Sequence, residues 1–159
     1  MTMMLTSPAF GPRDRIPARY TCDGDDVSPP LAWDGVPPEV QSFALVIDDP
    51  DAPDPAAPQT TWVHWVLYDV PAEARGLREG VGTEPSPAGG RQGQNDWKRP
   101  GYRGPCPPVG THRYVHKLYA LDTLLGDLGT PTKHDLERAM EGHVLARAEL
   151  VGLYARGGG

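Results

Sequence analysis

A stiff loop runs directly into a segment that carries histidine, arginine and tyrosine. Residues 104–110 (GPCPPVG) contain three prolines, which fix φ, and two glycines, which allow close backbone approach. His112, Arg113 and Tyr114 follow, and alternation up to Leu121 predicts a strand with both His112 and Tyr114 on one face. Such a pre-ordered loop is suited to hold a small ligand, because little chain entropy is lost on binding. The same pattern is equally typical of a proline-rich loop that merely precedes a polar strand start.

Three carboxylates lie within four residues at the end of another apolar segment. Residues 43–47 are all apolar, which predicts a central strand that is covered on both faces. Asp48, Asp49 and Asp51 follow, and their crowding costs repulsion unless donors or cations lie nearby. On these residues alone, a solvated turn is the favoured interpretation.

A second histidine lies in a segment of strand character, Thr61–Val70. Alternation places Trp62, His64 and Val66 on one face, and Val63 with Trp65 on the other. A histidine in such aromatic surroundings is usually a core residue. Its position between the carboxylates and the second histidine segment instead favours membership of a shared pocket.

Three motifs in this order resemble the phosphatidylethanolamine-binding protein family, which includes the Raf kinase inhibitor proteins of eukaryotes. They are DDPDAP (48–53), WVHWVLYDVP (62–71) and GPCPPVGTHRY (104–114). The segments TCDG (21–24) and SPPLAW (28–33) are similar to the bacterial and archaeal branch of the family. The resemblance extends from about Leu5 to Tyr154.

The resemblance implies a mainly β fold, with two packed antiparallel sheets, one or two peripheral helices and a pocket at one edge of the larger sheet. It implies a single domain over residues 1–159. The residues carried over as ligand-binding are Asp49, His64, Gly104, Pro105, His112 and Tyr114. Those carried over as supporting the pocket are Asp51, Pro53, Trp62 and Arg113. We expect Asp51 to bond to the backbone or to Arg113, and so to hold the loop in shape.

These side chains predict a pocket for phosphate or for phosphoryl headgroups. Two imidazoles and a phenol can donate hydrogen bonds to an oxyanion, and backbone groups near Gly104 can add others. Asp49 nearby would favour the protonated form of a histidine and hence anion binding. We therefore expect a binding protein for a small anionic or phosphorylated ligand, without catalysis and without a required cofactor.

Other functions stay open at this point. One is a protein-interaction inhibitor of a kinase or protease that acts through surface loops on an unidentified partner. Another is a weak phosphoester hydrolase that uses Asp49, His64 and His112, although no GxSxG motif supports it. A metal is not expected. His112 and His116 are four strand residues apart, so their Cα atoms lie about 13 Å from each other, which is too far for both to bind one zinc ion. A metal site formed by Asp49, His64 and His112 remains geometrically possible.

Composition excludes several classes of protein. The net charge of −6 and the absence of a basic stripe disfavour nucleic acid and anionic membranes as partners. No apolar run approaches the roughly 18 residues of a membrane span, so stable membrane insertion is not expected. The N-terminal residues lack the pattern of a signal peptide, which predicts the cytoplasm. Cys22 and Cys106 would then be reduced thiols, with a disulfide between them as the alternative; a homodimer is compatible with the sequence.

The C-terminal third predicts one helix and one strand. Thr132 followed by Asp135 is typical of a capping box, and the spacing predicts a helix over Lys133–Glu141. Alternation from Ala146 to Tyr154 predicts a final strand. Residues 157–159, all glycine, are expected to be disordered.

Overall fold

The computed structural model describes residues 2–83 and 90–156, so the predicted disordered tail lies outside the described residues. The strands are β1 (Met4–Thr6), β2 (Leu31–Asp34), β3 (Ser42–Ala52), β4 (Thr60–Pro71), β5 (Gly76–Leu77), β6 (Arg91–Gln92), β7 (His112–Leu121) and β8 (Val144–Tyr154). The helix α1 covers Lys133–Met140, and short 3-10 turns cover Ala18–Tyr20 and Val81–Thr83.

Within the described residues the strands form two antiparallel sheets. The smaller sheet has the order β1-β2-β5, and the larger has the order β6-β4-β3-β7-β8. The predicted mainly β fold with a peripheral helix is confirmed. The apolar run at residues 43–47 predicted a central strand. That strand is β3, which lies between β4 and β7.

Two apolar cores explain the unbroken apolar run in β3. Phe43, Leu45 and Ile47 belong to a cluster that also contains Leu5 and Trp33 of the smaller sheet, so this core lies between the sheets. The intervening residues Ala44 and Val46 belong to a second cluster with Leu136 and Met140 of α1. Each face of β3 is therefore covered. Full burial of one such large side chain stabilises the fold by about 1.5–3 kcal/mol.

A β-bulge in β4 changes which face each residue occupies. Ile47 pairs with Trp65 whereas Asp48 pairs with Val63, so His64 is the extra residue. Val63 packs in the core beneath α1 and Trp65 packs between the sheets, so the predicted sharing of one face by these two residues was wrong. The bulge turns His64 toward the side of the sheet on which the core between the sheets lies.

Buried charge ties α1 to the larger sheet. One oxygen of the buried Asp48 accepts hydrogen bonds from Lys117 Nζ at 2.9 Å and from Lys133 Nζ at 2.7 Å. Lys117 belongs to β7 and Lys133 is the first residue of α1. These bonds hold the start of the helix against the back of the strands that carry the histidines.

The predicted capping box is present at the start of α1. The N–H of Asp135 donates to Thr132 Oγ1 at 3.1 Å, and the N–H of Thr132 donates to an Asp135 carboxylate oxygen at 3.2 Å. The helix ends at Met140, one residue before the predicted end, and Gly142 adopts φ +80° just beyond it. Glycine pays no Cβ penalty for this left-handed conformation, which is typical of a helix C terminus.

The variant Thr132→Ala tests the contribution of this cap. It removes the acceptor for the Asp135 N–H, and we expect the free energy of unfolding to fall by about 1 kcal/mol. Urea denaturation followed by circular dichroism measures the change. Thr130→Ala is the matched control, because Thr130 is exposed and lies outside the helix. Equal stability of the two variants would contradict the assignment.

Candidate ligand-binding site

A cavity of about 480 Å³ lies where β3 ends and where β4 and β7 begin. It is lined by Asp49, Ala52, Pro53, Gln59, Thr60, Trp62, His64, Trp97, Cys106, Pro107, Pro108, His112 and Tyr114. The structure therefore brings together four of the six residues that were carried over as ligand-binding, namely Asp49, His64, His112 and Tyr114. Of the four expected to support the pocket, Pro53 and Trp62 line the cavity directly.

A buried carboxylate–imidazole pair lies in the wall of the cavity. Asp49 Oδ2 lies 2.6 Å from His112 Nδ1, and His112 Nε2 lies 2.8 Å from the carbonyl oxygen of Val109. A carbonyl only accepts hydrogen bonds, so Nε2 carries a hydrogen and donates it to Val109. Both ring nitrogens thus have protein partners. The expectation that His112 donates a hydrogen bond to an anion does not fit this arrangement.

Asp49 is held by His112 and by the backbone. Besides the bond to His112, the N–H of Asp51 donates to Asp49 Oδ1 at 2.7 Å. Burial raises the pKa of Asp49, while His112 and the Asp51 N–H oppose that rise. Burial, together with the neighbouring Asp49, raises the pKa of Tyr114 as well, so its phenol stays protonated.

His64 presents a hydrogen-bond acceptor to the cavity. Its Nδ1 donates to the carbonyl oxygen of Arg103 at 2.6 Å, which leaves Nε2 as the ring nitrogen with a lone pair. Burial lowers the pKa of His64 to about 4, although the Arg103 carbonyl partly opposes this. The ring is therefore neutral at pH 7. His64 is therefore not the protonated histidine that was expected beside Asp49, because Asp49 pairs with His112.

Aromatic rings form much of the wall around His64. The centroid of the Trp97 ring lies 5.0 Å from that of His64 and 5.5 Å from that of Trp62, both edge to face. Tyr114 meets His64 edge to face at 5.3 Å. Edge-to-face contacts of this kind stabilise aromatic pairs beyond their burial, so the rings hold one another in position.

Asp51 and Arg113 stabilise the end of β3 without lining the cavity. Arg113 Nε and Nη2 donate to the two carboxylate oxygens at 3.0 and 2.8 Å, and the Arg113 N–H donates at 2.9 Å. The guanidinium lowers the pKa of Asp51. The contact predicted between these residues is therefore present, and it joins the end of β3 to the start of β7.

Gly104 and Pro105 lie behind the wall and do not line the cavity. The N–H of Gly104 donates to Asp26 Oδ1 at 2.8 Å, so it is not directed at a ligand. A Cβ at Gly104 would lie 2.2 Å from the carbonyl oxygen of Tyr20, which explains why glycine is needed here. The carbonyl of Pro105 accepts from the N–H of Cys22 at 3.1 Å. The cavity wall is formed by the next residues of the loop, 106–108.

Further lining residues come from distant segments and were not predicted from the sequence. Trp97 follows Asn95, whose side-chain oxygen accepts the Trp97 N–H at 2.9 Å and shapes a tight turn. Gln59 immediately precedes β4 and Thr60 is its first residue, in a polar segment without a recognisable motif. The only sequence signal for Trp97 was a tryptophan directly after an Asn-Asp pair, because large aromatic side chains in loops often pack against the body of the protein.

The two cysteines form a disulfide, so the expectation of reduced thiols was wrong and the alternative holds. Their Cα atoms lie 5.4 Å apart although 84 positions separate them in the sequence. The fold packs the turn at Cys22 against the proline loop, and Cys106 lines the cavity. Disulfides are typical of oxidising compartments, so the cysteines no longer support a cytoplasmic location. That location stays a prediction. No helix among residues 2–83 and 90–156 is long and apolar enough to cross a membrane.

The described part of the chain holds no candidate metal site. No three His, Cys, Asp or Glu side chains there are arranged to hold a metal ion. In particular, Asp49 and His112 already bond to each other, and the free Nε2 of His64 has no second ligand grouped with it.

This two-sheet fold with a cavity at the ends of β3, β4 and β7 is that of the phosphatidylethanolamine-binding proteins. The model of that family matches residues 6–155, and the chain belongs to this family. It is 53% identical to a UPF0098 protein of Methanothermobacter thermautotrophicus, covering 98% of this chain and 100% of the relative. A UPF0098 protein of Aquifex aeolicus is 44% identical over 97% of this chain and 89% of its own length.

Solved structures support the same assignment. A putative phosphatidylethanolamine-binding protein homologue from Chlamydia trachomatis superposes with a TM-score of 0.89 at 40% identity, covering 98% of both chains. Escherichia coli YbcL, described as a new member of the mammalian family, superposes with a TM-score of 0.82 at 28% identity, covering 97% of this chain and 98% of its own.

Loss of the disulfide should destabilise the fold. We expect the double variant Cys22→Ser, Cys106→Ser to lose about 2–4 kcal/mol of unfolding free energy, because the open chain gains entropy when unfolded. Urea denaturation measures this under non-reducing conditions. Dithiothreitol should lower the stability of the wild type toward that of the variant and leave the variant unchanged. A wild type that is insensitive to complete reduction would contradict this account.

The two buried neutral histidines should make stability fall in acid. Burial lowers the pKa of both His64 and His116 from 6.5 to about 4. The unfolded chain therefore binds protons first, and stability is lost as pH falls from about 6.5 to about 4, by up to about 1.4 kcal/mol per pH unit for each residue. His116→Gln should reduce the slope of unfolding free energy against pH. The exposed His134→Gln should leave the slope unchanged, and identical slopes in both variants would refute the assignment.

Proposed function

We propose that this protein binds a small anionic or phosphorylated ligand in the cavity beside His64 and does not transform it. The observation that carries the proposal is the cavity itself, about 480 Å³ with aromatic and proline walls and a few convergent polar groups. Sites for small molecules have this composition and commonly measure about 300–1,000 Å³.

The rigidity of the walls supports binding. Three separate links hold the segments that line the cavity: the Asp49–His112 pair, the Asp51–Arg113 ion pair and the disulfide at Cys106. A site that is already ordered loses little conformational entropy when a ligand enters, so a small ligand can bind with useful affinity.

The chemistry around the mouth favours an anionic ligand. The indole N–H groups of Trp62 and Trp97 have no acceptor among the described residues, and neither do the side-chain donors of Gln59 and Thr60. These groups can donate to phosphate oxygens. The family is named for phosphatidylethanolamine, whose headgroup combines a phosphate with an ammonium group, and this agrees with a phosphorylated ligand.

The bonding of the reactive groups argues for binding without catalysis. Cys106 is joined to Cys22 and cannot supply a thiolate nucleophile. Asp49 and His112 bond to each other, and the second nitrogen of His112 is held by a backbone carbonyl. No serine lines the cavity in the described part of the chain, so no activated hydroxyl of that type is present.

Calorimetric titration with inorganic phosphate and with O-phosphoethanolamine tests the proposal. We expect saturable binding of at least one of them to the wild type, and binding weakened by at least about tenfold in Ala52→Phe, which fills the cavity while keeping every polar group. His134→Ala is the control, because His134 is exposed and remote in sequence from every lining residue. Circular dichroism confirms that each variant is folded. If the wild type binds neither ligand, or if the folded Ala52→Phe variant binds as well as the wild type, the proposed function fails.

A further inference from the structure

Residues 106–108, the wall segment, form part of the cavity wall without hydrogen bonds of their own. Two of the three are prolines, which carry no N–H group. No hydrogen bond from another described residue reaches this segment, and the nearest bonds are at the carbonyls of Pro105 and Val109. Apart from the packing of the buried Pro107, the disulfide at Cys106 holds the wall segment in place.

The disulfide lies where a reductant from the solvent can approach it. Cys106 is exposed and lines the cavity, whereas Cys22 is partly buried. Thiol–disulfide exchange requires the attacking thiolate to reach a sulfur atom, so access helps to decide which disulfides react. A disulfide inside a packed core would be closed to such attack. This one borders the ligand cavity.

Three hydrogen bonds between described residues join the two cysteine segments without using the sulfur atoms. They run from the Cys22 N–H to the Pro105 carbonyl (3.1 Å), from the Gly104 N–H to Asp26 Oδ1 (2.8 Å) and from the Tyr102 hydroxyl to the Tyr20 carbonyl (2.6 Å). All three lie on the N-terminal side of the wall segment. They keep the two thiols of a reduced protein close together, so the disulfide can form again.

The other walls of the cavity do not depend on the disulfide. Asp49 is bonded to His112, and His64 donates to the carbonyl of Arg103. Neither contact includes a cysteine or a residue of the wall segment. Reduction therefore releases one wall and leaves the others in place.

We propose that the disulfide is a redox-sensitive clamp on the cavity. With the bond closed the wall segment is fixed and the cavity is ready for its ligand; with the bond reduced the segment is mobile and the affinity falls. This regulation rests on the proposed function, because it acts on the same site. The reductant is a dithiol, which supplies two electrons and two protons. The sulfur–sulfur bond breaks, Cys22 and Cys106 each gain a hydrogen, and the dithiol closes to its own disulfide.

Ligand binding and the redox state of the clamp influence each other by the same factor. A ligand that enters the reduced protein must order the wall segment, and the chain entropy lost in doing so subtracts from the affinity. We expect binding to be about tenfold weaker after reduction. By linkage, the ligand opposes reduction by that same factor. For a two-electron couple, tenfold corresponds to about 30 mV in midpoint potential.

NMR relaxation of backbone amides tests the clamp without any ligand. In the oxidised protein the amides of Cys106 and Val109, on either side of the two prolines, should have order parameters of about 0.85, and reduction by dithiothreitol should lower them below about 0.6. The Gly104 amide, which donates to Asp26, should stay rigid in both states. Unchanged values at Cys106 and Val109 overturn the proposal. So does a loss of order at Gly104, since the change would then extend beyond the wall segment.

Calorimetry measures the effect on affinity, with whichever of inorganic phosphate and O-phosphoethanolamine binds the wild type. The oxidised wild type should bind about tenfold more tightly than the same protein in dithiothreitol. Cys22→Ser, Cys106→Ser should bind like the reduced wild type and should not respond to dithiothreitol. Thr132→Ala is the control for lost stability, because it keeps the disulfide and should bind like the oxidised wild type. Equal affinity of the oxidised and reduced proteins, both folded by circular dichroism, overturns the proposal.

The reciprocal effect is measured in dithiothreitol redox buffers, with free thiols trapped by alkylation and counted by mass spectrometry. The same ligand should lower the midpoint potential of the wild type by about 30 mV. Ala52→Phe, whose cavity is filled, should show no shift. Binding by the oxidised wild type with an unshifted midpoint overturns only the regulation. No binding by the oxidised wild type ends the proposed function and the regulation that rests on it.

Discussion

Three carboxylates in four residues at the end of β3 can be tolerated only if each has its own positive or hydrogen-bonding partner. Asp48 lies on the helix side of the sheet and binds two lysines, Asp49 binds His112, and Asp51 binds Arg113. Repulsion among the carboxylates is thus offset by partners on different sides of the strand. The partners belong to β7 and α1, so the same charges that would destabilise an isolated turn join the central strands and the helix.

The carboxylates lie on different faces of β3, and this separates the cavity from the core beneath α1. Asp48 and Asp49 are neighbours in the chain, yet one anchors α1 and the other lies in the cavity wall. On the adjacent strand, the bulge at His64 reverses the alternation at the same level of the sheet. Without the extra residue, His64 would occupy the face that Val66 takes, toward the helix. The cavity therefore depends on one irregularity in an otherwise regular ladder.

What sequence analysis predicted correctly is largely what depends on neighbours in the chain. The apolar run of β3, the capping box at Thr132 and the strand period of β7 are local patterns, and each is present. Six lining residues of the cavity, including Pro53 and Trp62, were predicted because the motifs that carry them match a known family. The face of His64 could not be predicted, because a bulge arises from pairing between strands and leaves no mark on the period of one strand.

The remaining differences also come from contacts between distant segments. Gly104 is needed because its backbone lies close to the carbonyl oxygen of Tyr20. The position of a glycine in the sequence does not show whether it approaches another backbone segment or a ligand. Which imidazole pairs with Asp49 could not be predicted either, because it depends on which of the two histidines the fold places beside that carboxylate. Trp97 reaches the cavity from a loop with no periodic pattern, so only the three-dimensional arrangement identifies it.

The bond between Cys22 and Cys106 has a consequence for the integrity of the polypeptide. It closes a ring that contains β2 to β6, including Asp49 and His64, while His112 and Tyr114 lie beyond it. A single peptide cleavage anywhere inside that ring would open the ring but leave both pieces in one covalent molecule. The two halves of the cavity would then remain in one molecule. Their association would be intramolecular and would not depend on the protein concentration.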